Sequence, residues 1–145
     1  MRSHRIALTF AAVMAAFAGA SAQAATEITF WHSMEGALGD RVNGLVEEFN
    51  KKNPDYQVKA VYKGNYGESM NAGIAAFRAG NAPDILQVFE VGTATMMYAK
   101  GAIKPVQQMS EEAGNPIDPK EFIGAVAGYY SSADGKLVSV SYTHL

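Results

Sequence analysis

Three short polar and aromatic clusters in this chain each follow an apolar run, and their side chains suit the binding of a small polyol. The clusters are Trp31-His32-Ser33, Gly64-Asn65-Tyr66 and the single carboxylate Glu90. A tyrosine ring can cover the carbon face of a polyol while its hydroxyl bonds an edge, and an ionised carboxylate accepts hydrogen bonds from neighbouring hydroxyls. We therefore expect ligand contacts from Tyr66 and Glu90, with Ser33 and His32 as further candidates.

Each of the two main candidates has a simpler alternative. Glu90 lies between Phe89 and Val91, so its charge must reach a crevice or solvent, and a solvated carboxylate at the end of a strand is the plainer interpretation. For Tyr66 the simpler alternative is that its ring packs against the domain that carries it. The sequence around it, GNYG, also resembles a helix start that holds phosphate, but it has fewer glycines than a phosphate loop.

The elements that must position these clusters alternate between strand and helix. We predict strands at Glu27 to Trp31, Tyr56 to Tyr62 and Asp84 to Phe89, and helices from about Leu38 to Lys51, from Gly67 to Ala79 and from Gly92 or Thr93. This alternation indicates an α/β fold with a parallel sheet. In such a sheet, ligands bind at the carboxyl ends of the strands, which is where all three clusters fall.

The burial expected of these elements follows from their periodicity. The first helix should bury the apolar residues Leu38, Val42, Leu45, Val46 and Phe49, and the second Met70, Ile74 and Phe77. The third strand, DILQVF, has an apolar continuity that predicts burial on both faces. Further along, a helix near residues 119–130 and a strand near residues 137–140 complete the prediction.

Other chemistries find less support in the sequence. There is no cysteine, and His4 and His144 lie near the two ends of the chain, so His32 alone makes a poor metal site. Glu35 and Glu90 could be imagined as the acid and base of a glycosidase, but nothing in the sequence fixes their separation. We expect no cofactor, no metal and no enzymatic activity.

The first 24 residues have the order of a secretory signal. Arg2 and Arg5 precede an apolar run from Ile6 to Ala18, and Ala22-Gln23-Ala24 supplies small residues for cleavage. The run of 13 residues is shorter than the roughly 20 needed to span a membrane. We expect cleavage near Ala24 and release into the periplasm.

The charge balance excludes one class of partner. Without Arg2 and Arg5, 10 basic residues face 14 acidic ones, a formal charge of −4. A basic patch is the electrostatic footprint of nucleic-acid binding. No nucleic-acid partner is expected.

Several motifs in order resemble one family. FWHSMEGALG at residues 30–39, NPDY at 53–56, the stretch 63–97 and GYY at 128–130 are similar to the solute-binding proteins (family 1) of ATP-binding-cassette importers, in particular to receptors for sn-glycerol 3-phosphate. The resemblance implies a periplasmic-binding-protein-like type II fold of two lobes around a cleft. It also implies a monomeric receptor, a glycerol 3-phosphate or glycerophosphodiester ligand, inner-membrane permease subunits as partners, and Tyr66 and Glu90 as contacts.

The same resemblance sets the domain boundaries and leaves two alternatives. Residues 25–140 would be the first lobe, truncated near the first crossing to the second lobe, and residues 141–145, SYTHL, depart from the family and suggest a sequencing artefact. The phosphate-binding arginine would lie in the remainder of such a receptor. The alternatives are an oligosaccharide receptor of the same fold and a periplasmic hydrolase.

Overall fold

The computed structural model describes residues 24–99 and 101–140. The predicted signal and the doubtful tail at 141–145 lie outside the described residues, apart from Ala24. The elements are β1 (Thr26–His32), α1 (Gly36–Lys52), β2 (Tyr56–Tyr62), α2 (Tyr66–Arg78), β3 (Ile85–Leu86), α3 (Glu90–Met97), α4 (Val106–Glu112), a 3-10 turn (Pro119–Glu121) and α5 (Gly124–Tyr129).

The described strands form a parallel sheet in the order β2-β1-β3. The register of β1 on β2 runs without a break from the pair Thr26–Tyr56 to the pair His32–Tyr62. The β-branched and aromatic residues of β1 suit this central position, and helices cover the connections between the parallel strands, as such strands require. The predicted parallel α/β arrangement is confirmed.

A side chain of α1 closes part of the outer edge of β2. The amide of Asn50 accepts a hydrogen bond from Val58 N at 2.8 Å and donates one to the Val58 carbonyl at 3.0 Å. Both backbone groups are thereby satisfied without another strand. The two bonds tie α1 to the sheet.

The third strand is shorter than predicted. Its ladder with β1 covers only Ile85 and Leu86, and Ile85 is 48% exposed, so the expected burial on both faces is wrong. Before the strand, the Asp84 carboxylate accepts hydrogen bonds from the N–H and the hydroxyl of Thr29, each at 2.8 Å. These bonds lower the pKa of Asp84. The Asp84 side chain thus satisfies the Thr29 donors at one end of the strand, and the predicted residues 87–89 at the other end lie outside the ladder.

Helix α1 buries less of its apolar face than its periodicity predicts. Val42 is buried and Val46 half-buried, but Leu38, Leu45 and Phe49 are 60%, 61% and 42% exposed. The sheet has only three described strands, which is too narrow to cover the whole apolar face. The expectation for these three side chains is therefore wrong in the described structure.

Helix α2 approaches the sheet through small residues. Ser69, Gly73 and Ala76 are buried, whereas Phe77 is 44% exposed, contrary to prediction. A Cβ on Gly73 would lie 2.5 Å from Leu86 Cδ2. The close approach of the helix to β3 therefore needs glycine at this position.

The second half of the described chain differs most from the prediction. Helix α4 was not predicted. The helix expected at 119–130 is broken, because Phe122 has extended backbone angles (φ −95°, ψ 155°) between the 3-10 turn and α5. The strand expected at 137–140 is reduced to a single antiparallel bridge between Ser131 and Leu137.

The apolar core of the described residues is small. Its buried hydrophobic members are Val42, Ala76 and Leu137. Within residues 24–99 and 101–140, none of the helices has the length and apolarity to cross a bilayer.

Candidate functional site

The first candidate residue, Tyr66, is the first residue of α2, and local geometry fixes it there. Gly64 has φ +84°, a left-handed conformation that favours glycine. Asn65 and Glu68 then form a reciprocal capping box: Glu68 N donates to Asn65 Oδ1 at 3.0 Å and Asn65 N donates to Glu68 Oε2 at 2.8 Å. Tyr66 therefore begins the helix in a defined orientation with 39% of its surface exposed.

The structure brings the second and third clusters together. The ring of Tyr66 lies 5.6 Å from that of Phe89, tilted by 34°, and Phe89 immediately precedes Glu90. The segments after β2 and after β3 thus touch through an aromatic pair. Tyr66 and Glu90 lie on neighbouring parts of the same sheet edge.

Glu90 is an exposed side chain at a helix start. It is the first residue of α3, so the helix begins two or three residues earlier than predicted. Its carboxylate forms no hydrogen bond or ion pair with any described residue, while its carbonyl accepts a hydrogen bond from the hydroxyl of Tyr129 at 2.6 Å. The carboxylate is free to accept hydrogen bonds from a ligand.

Ser33 is held through its backbone. Its N–H donates to Gln87 Oε1 at 2.8 Å, and Gln87 N donates to the Trp31 carbonyl at 2.9 Å. The hydroxyl of Ser33 is buried and has no hydrogen-bond partner among the described residues. The segment after β1 therefore meets the segment after β3 and holds one buried, unpaired hydroxyl.

His32 lies in a different environment from Tyr66. Its ring is 3% exposed and packs 5.6 Å from Phe30 and 6.1 Å from Tyr62, and its Nδ1 accepts a hydrogen bond from Met34 N at 3.3 Å. Burial lowers the pKa of His32. A neutral imidazole with one nitrogen already engaged has limited capacity for a ligand.

A cavity of about 390 Å³ opens beside His32 at the N-terminal end of α1. The side chain of Glu35 lies in its wall and accepts a hydrogen bond from the Tyr62 hydroxyl at 3.0 Å, which raises the pKa of Tyr62. Asp40 and Asn43 also line it. No group of three metal-ligating side chains forms anywhere in the described part of the chain.

A cation also stands at the edge that carries the candidates. Lys63 Nζ lies 3.9 Å from the centroid of the Trp31 ring, and Lys63 N donates to the His32 carbonyl at 2.9 Å. The ammonium group is thus held over an aromatic face.

Sequence reasoning missed three residues of this region. They support the predicted contact residues. Gln87 accepts from Ser33 N, the Phe89 ring packs on Tyr66, and the Tyr129 hydroxyl donates to the Glu90 carbonyl. For Gln87 a signal was available, because it is a polar residue inside the apolar run DILQVF and is only 8% exposed in the structure. Phe89 and Tyr129 gave no comparable signal.

The described parallel sheet belongs to a lobe of the type II periplasmic-binding-protein fold, and its carboxyl edge carries the candidate side chains. The chain belongs to the bacterial extracellular solute-binding proteins, whose family model matches residues 35–138. Its curated relatives include the sn-glycerol-3-phosphate-binding periplasmic protein UgpB of Pectobacterium atrosepticum, 54% identical over 139 residues, and that of Escherichia coli K12, 58% identical over 120 residues.

Solved structures agree on the fold. A protein named CpMnBP1, with mannotriose bound, is 26% identical with a TM-score of 0.62, and the match covers 77% of this chain and 27% of that one. The ABC substrate-binding protein Lmo0181 from Listeria monocytogenes, in complex with cycloalternan, is 24% identical with a TM-score of 0.60 at the same coverage.

The matches cover most of this chain but a minor part of its relatives. They take in 95% and 82% of the chain, and 31% and 27% of the Pectobacterium and Escherichia coli K12 proteins, respectively. The chain therefore spans less than a third of the length of these relatives.

Proposed function

We propose that this chain is the first-lobe part of a periplasmic receptor that binds sn-glycerol 3-phosphate and glycerophosphodiesters for an ATP-binding-cassette importer. The observation that carries the proposal is its identity of 54–59% to relatives described as binding sn-glycerol 3-phosphate. The contact between the Tyr66 and Phe89 rings, next to the unpaired carboxylate of Glu90, supports it. The receptor would capture and deliver its ligand without chemical turnover.

The proposed contacts divide the ligand by charge. The Glu90 carboxylate accepts hydrogen bonds from the glycerol hydroxyls and would repel the phosphate, so it belongs at the glycerol end. Tyr66 covers the carbon chain. Ser33 stays a predicted contact, and its hydroxyl is buried and unpaired in the described structure. His32 stays a predicted contact, and its burial favours a role in holding the loop that carries Ser33.

The phosphate needs a charge-assisted partner, for which an arginine fork is best suited. Arg41 and Arg78 lie on α1 and α2, away from the ends of the strands in sequence. The proposal therefore assigns the phosphate to the second lobe. Closure of the two lobes around the ligand would be a hinge motion.

The cellular context completes the proposal. A signal cleaved near Ala24 would deliver a monomeric receptor to the periplasm, where it meets the inner-membrane permease subunits. Pulse labelling with N-terminal sequencing of the exported protein would test the cleavage site. A mature protein that began elsewhere would correct that boundary.

The binding proposal is tested in a complete receptor. We define the chimera as the Escherichia coli K12 relative in which residues 25–140 of this chain replace the matching segment. Calorimetry should show that Glu90→Ala weakens sn-glycerol 3-phosphate binding by about 10- to 150-fold, the range for a hydrogen-bond acceptor that carries charge. Tyr66→Ala should weaken it as well, and Tyr66→Phe less.

Glu47→Ala is the matched control. Glu47 is an exposed acid of α1 whose carboxylate lies 4.0 Å from Lys51 Nζ, and its loss should leave the affinity unchanged, because exposed pairs contribute little. Equal affinities for the parent and for Glu90→Ala would show that the site assignment is wrong.

An oligosaccharide receptor is the second candidate, favoured by the likeness to the mannotriose-bound protein. Titration of the chimera with mannotriose and maltose separates the two ligands. The second lobe of the chimera comes from a relative and could impose the ligand preference of that relative. The same titration on a receptor that carries its own second lobe is therefore the more decisive test. Saccharide binding there without sn-glycerol 3-phosphate binding would favour the alternative.

A hydrolase is the third candidate. Glu35, the imagined partner of Glu90, is engaged by the Tyr62 hydroxyl on the wall of the cavity beside His32. We expect stoichiometric binding of glycerophosphodiesters with no release of alcohol over hours. Turnover that was lost in Glu35→Gln would support the hydrolase instead.

A further inference from the structure

The hydrogen bond from the hydroxyl of Tyr129 to the carbonyl of Glu90 joins two parts of the chain that are 39 residues apart. Its length of 2.6 Å lies within the usual range for a hydroxyl donor and an oxygen acceptor. Tyr129 is the last residue of α5 and Glu90 the first residue of α3. The bond therefore reaches the helix start from which the Glu90 side chain projects.

The position of Tyr129 is itself fixed by its surroundings. Its ring meets that of Tyr130 edge-on, with centroids 5.1 Å apart at 80°. The Tyr130 carbonyl accepts hydrogen bonds from Val138 N at 2.9 Å and Ser139 N at 3.4 Å. The backbone that follows Tyr129 at the end of α5 is thus hydrogen-bonded to residues 138 and 139.

The segment that follows α5 is itself held by a buried residue, Leu137. Leu137 is 2% exposed, and its N–H donates to Gln107 Oε1 at 3.1 Å, while Gln107 N donates to the Leu137 carbonyl at 3.1 Å. These bonds attach the segment after α5 to the start of α4. The donor hydroxyl of Tyr129 is therefore carried by a connected unit and not by a free loop.

The Glu90 carboxylate has little else to fix it. It forms no hydrogen bond with any residue in the described ranges, and Phe89 at the N-cap supplies no side-chain cap for α3. The backbone of Glu90 sets the point and the direction from which the side chain leaves α3, and the side-chain torsions are not fixed by any partner. Tyr129 holds that backbone from outside the helix.

We propose that Tyr129 is a positioning residue that orients Glu90 for ligand hydroxyls, an inference that rests on the proposed function. The role requires the phenolic hydroxyl of Tyr129. It does not require Tyr129 to contact the ligand. It extends the binding site from the ends of the strands to α5.

The test is a double-mutant cycle in the chimera, with sn-glycerol 3-phosphate binding measured by calorimetry. Tyr129→Phe removes only the donor and should weaken binding by about 2- to 10-fold, the range for one neutral hydrogen bond. Tyr130→Phe is the matched control, since the Tyr130 hydroxyl forms no hydrogen bond with the described residues. It should leave the affinity unchanged.

The decisive measurement is coupling to Glu90. In the Glu90→Ala background, Tyr129→Phe should cause no further loss, because the group that it positions is gone. A structural role would instead lower the melting temperature and weaken binding by the same factor in both backgrounds. Full additivity, or an unchanged affinity for Tyr129→Phe alone, would overturn the inference.

The outcomes also separate this inference from the proposed function. If Glu90→Ala weakens binding and Tyr129→Phe does not, the site stands and the positioning role is wrong. If Glu90→Ala itself has no effect, the site assignment fails and the positioning role fails with it.

Discussion

The Ser33 N–H donates to Gln87 Oε1 at 2.8 Å, and this bond joins the segment that follows β1 to the segment that follows β3. Gln87 is only 8% exposed, so its side chain is buried and has little access to solvent. The contact brings the first predicted cluster next to the third. It makes Gln87 a structural support of the candidate site.

Replacement of Gln87 tests that support. Gln87→Leu in the chimera should lower the free energy of unfolding by about 1–3 kcal/mol, because the Ser33 N–H loses its acceptor in a partly buried place. Gln87→Glu keeps an oxygen acceptor but places a charge at a position that is only 8% exposed, so it should also lower the free energy of unfolding. Gln57→Leu, on the exposed side of β2, is the control, and urea denaturation measures all three. Equal midpoints for Gln87→Leu and Gln57→Leu would contradict the assignment.

Gly92 is expected to be required for the aromatic contact of the site. A Cβ at Gly92 would lie 2.9 Å from Phe89 Cε1 and 3.0 Å from Met70 Sδ. Gly92→Ala should displace the Phe89 ring and with it Tyr66, at a cost of about 1–3 kcal/mol from overpacking. Reduced sn-glycerol 3-phosphate affinity in calorimetry is the expected result.

The control for Gly92 is Gly128→Ala on α5, where a Cβ would meet nothing within 4 Å. It should keep the affinity of the parent. If both variants bind like the parent, the contact of Tyr66 with Phe89 does not contribute to the site.

Two helical glycines should respond in opposite directions to alanine. At Gly73 the new Cβ would meet Leu86 Cδ2 at 2.5 Å, whereas at Gly44 it would meet nothing within 4 Å. Gly44→Ala should raise the stability of the chimera by about 0.5–1 kcal/mol through helix propensity. Gly73→Ala should lower it, since overpacking costs more than the propensity gains. Thermal unfolding gives both signs, and a rise for Gly73→Ala would refute the close approach of α2 to β3.

The buried His32 should make stability depend on pH. Burial lowers the pKa of His32 in the folded protein, while in the unfolded chain it stays near about 6.5. Above that value His32 is neutral in both states, so its protonation does not change the free energy of unfolding. Below it the unfolded state binds the proton more readily, so stability falls as the pH drops toward the folded pKa.

A comparison with His32→Asn isolates this effect, because asparagine retains a side-chain acceptor for Met34 N. Denaturation midpoints of the parent chimera should fall between pH 7 and pH 5 by more than those of the variant. Parallel pH profiles would show that His32 does not contribute. Of the three histidines of this chain, only His32 lies within residues 25–140.

The sequence by itself determined the first half of the fold. The alternation of Tyr56 to Tyr62 gave β2 with its observed bounds, and Asn53-Pro54 marked the end of α1. Local periodicity and turn residues suffice there because each element is set by its own side chains. The parallel orientation of the strands then followed, and so did the common edge on which the candidate residues lie.

Tertiary structure decided the rest. The ladder of β3 covers two of the six predicted residues, and Glu90 became a helix start and not the end of a strand. The contacts of Gln87 with Ser33 and of Tyr129 with Glu90 span 54 and 39 residues. Local propensity carries no information on such pairs, because they form only when the sheet and α5 bring distant segments together. The residue types that could hold a ligand were therefore readable from the sequence, and the side chains that orient them were not.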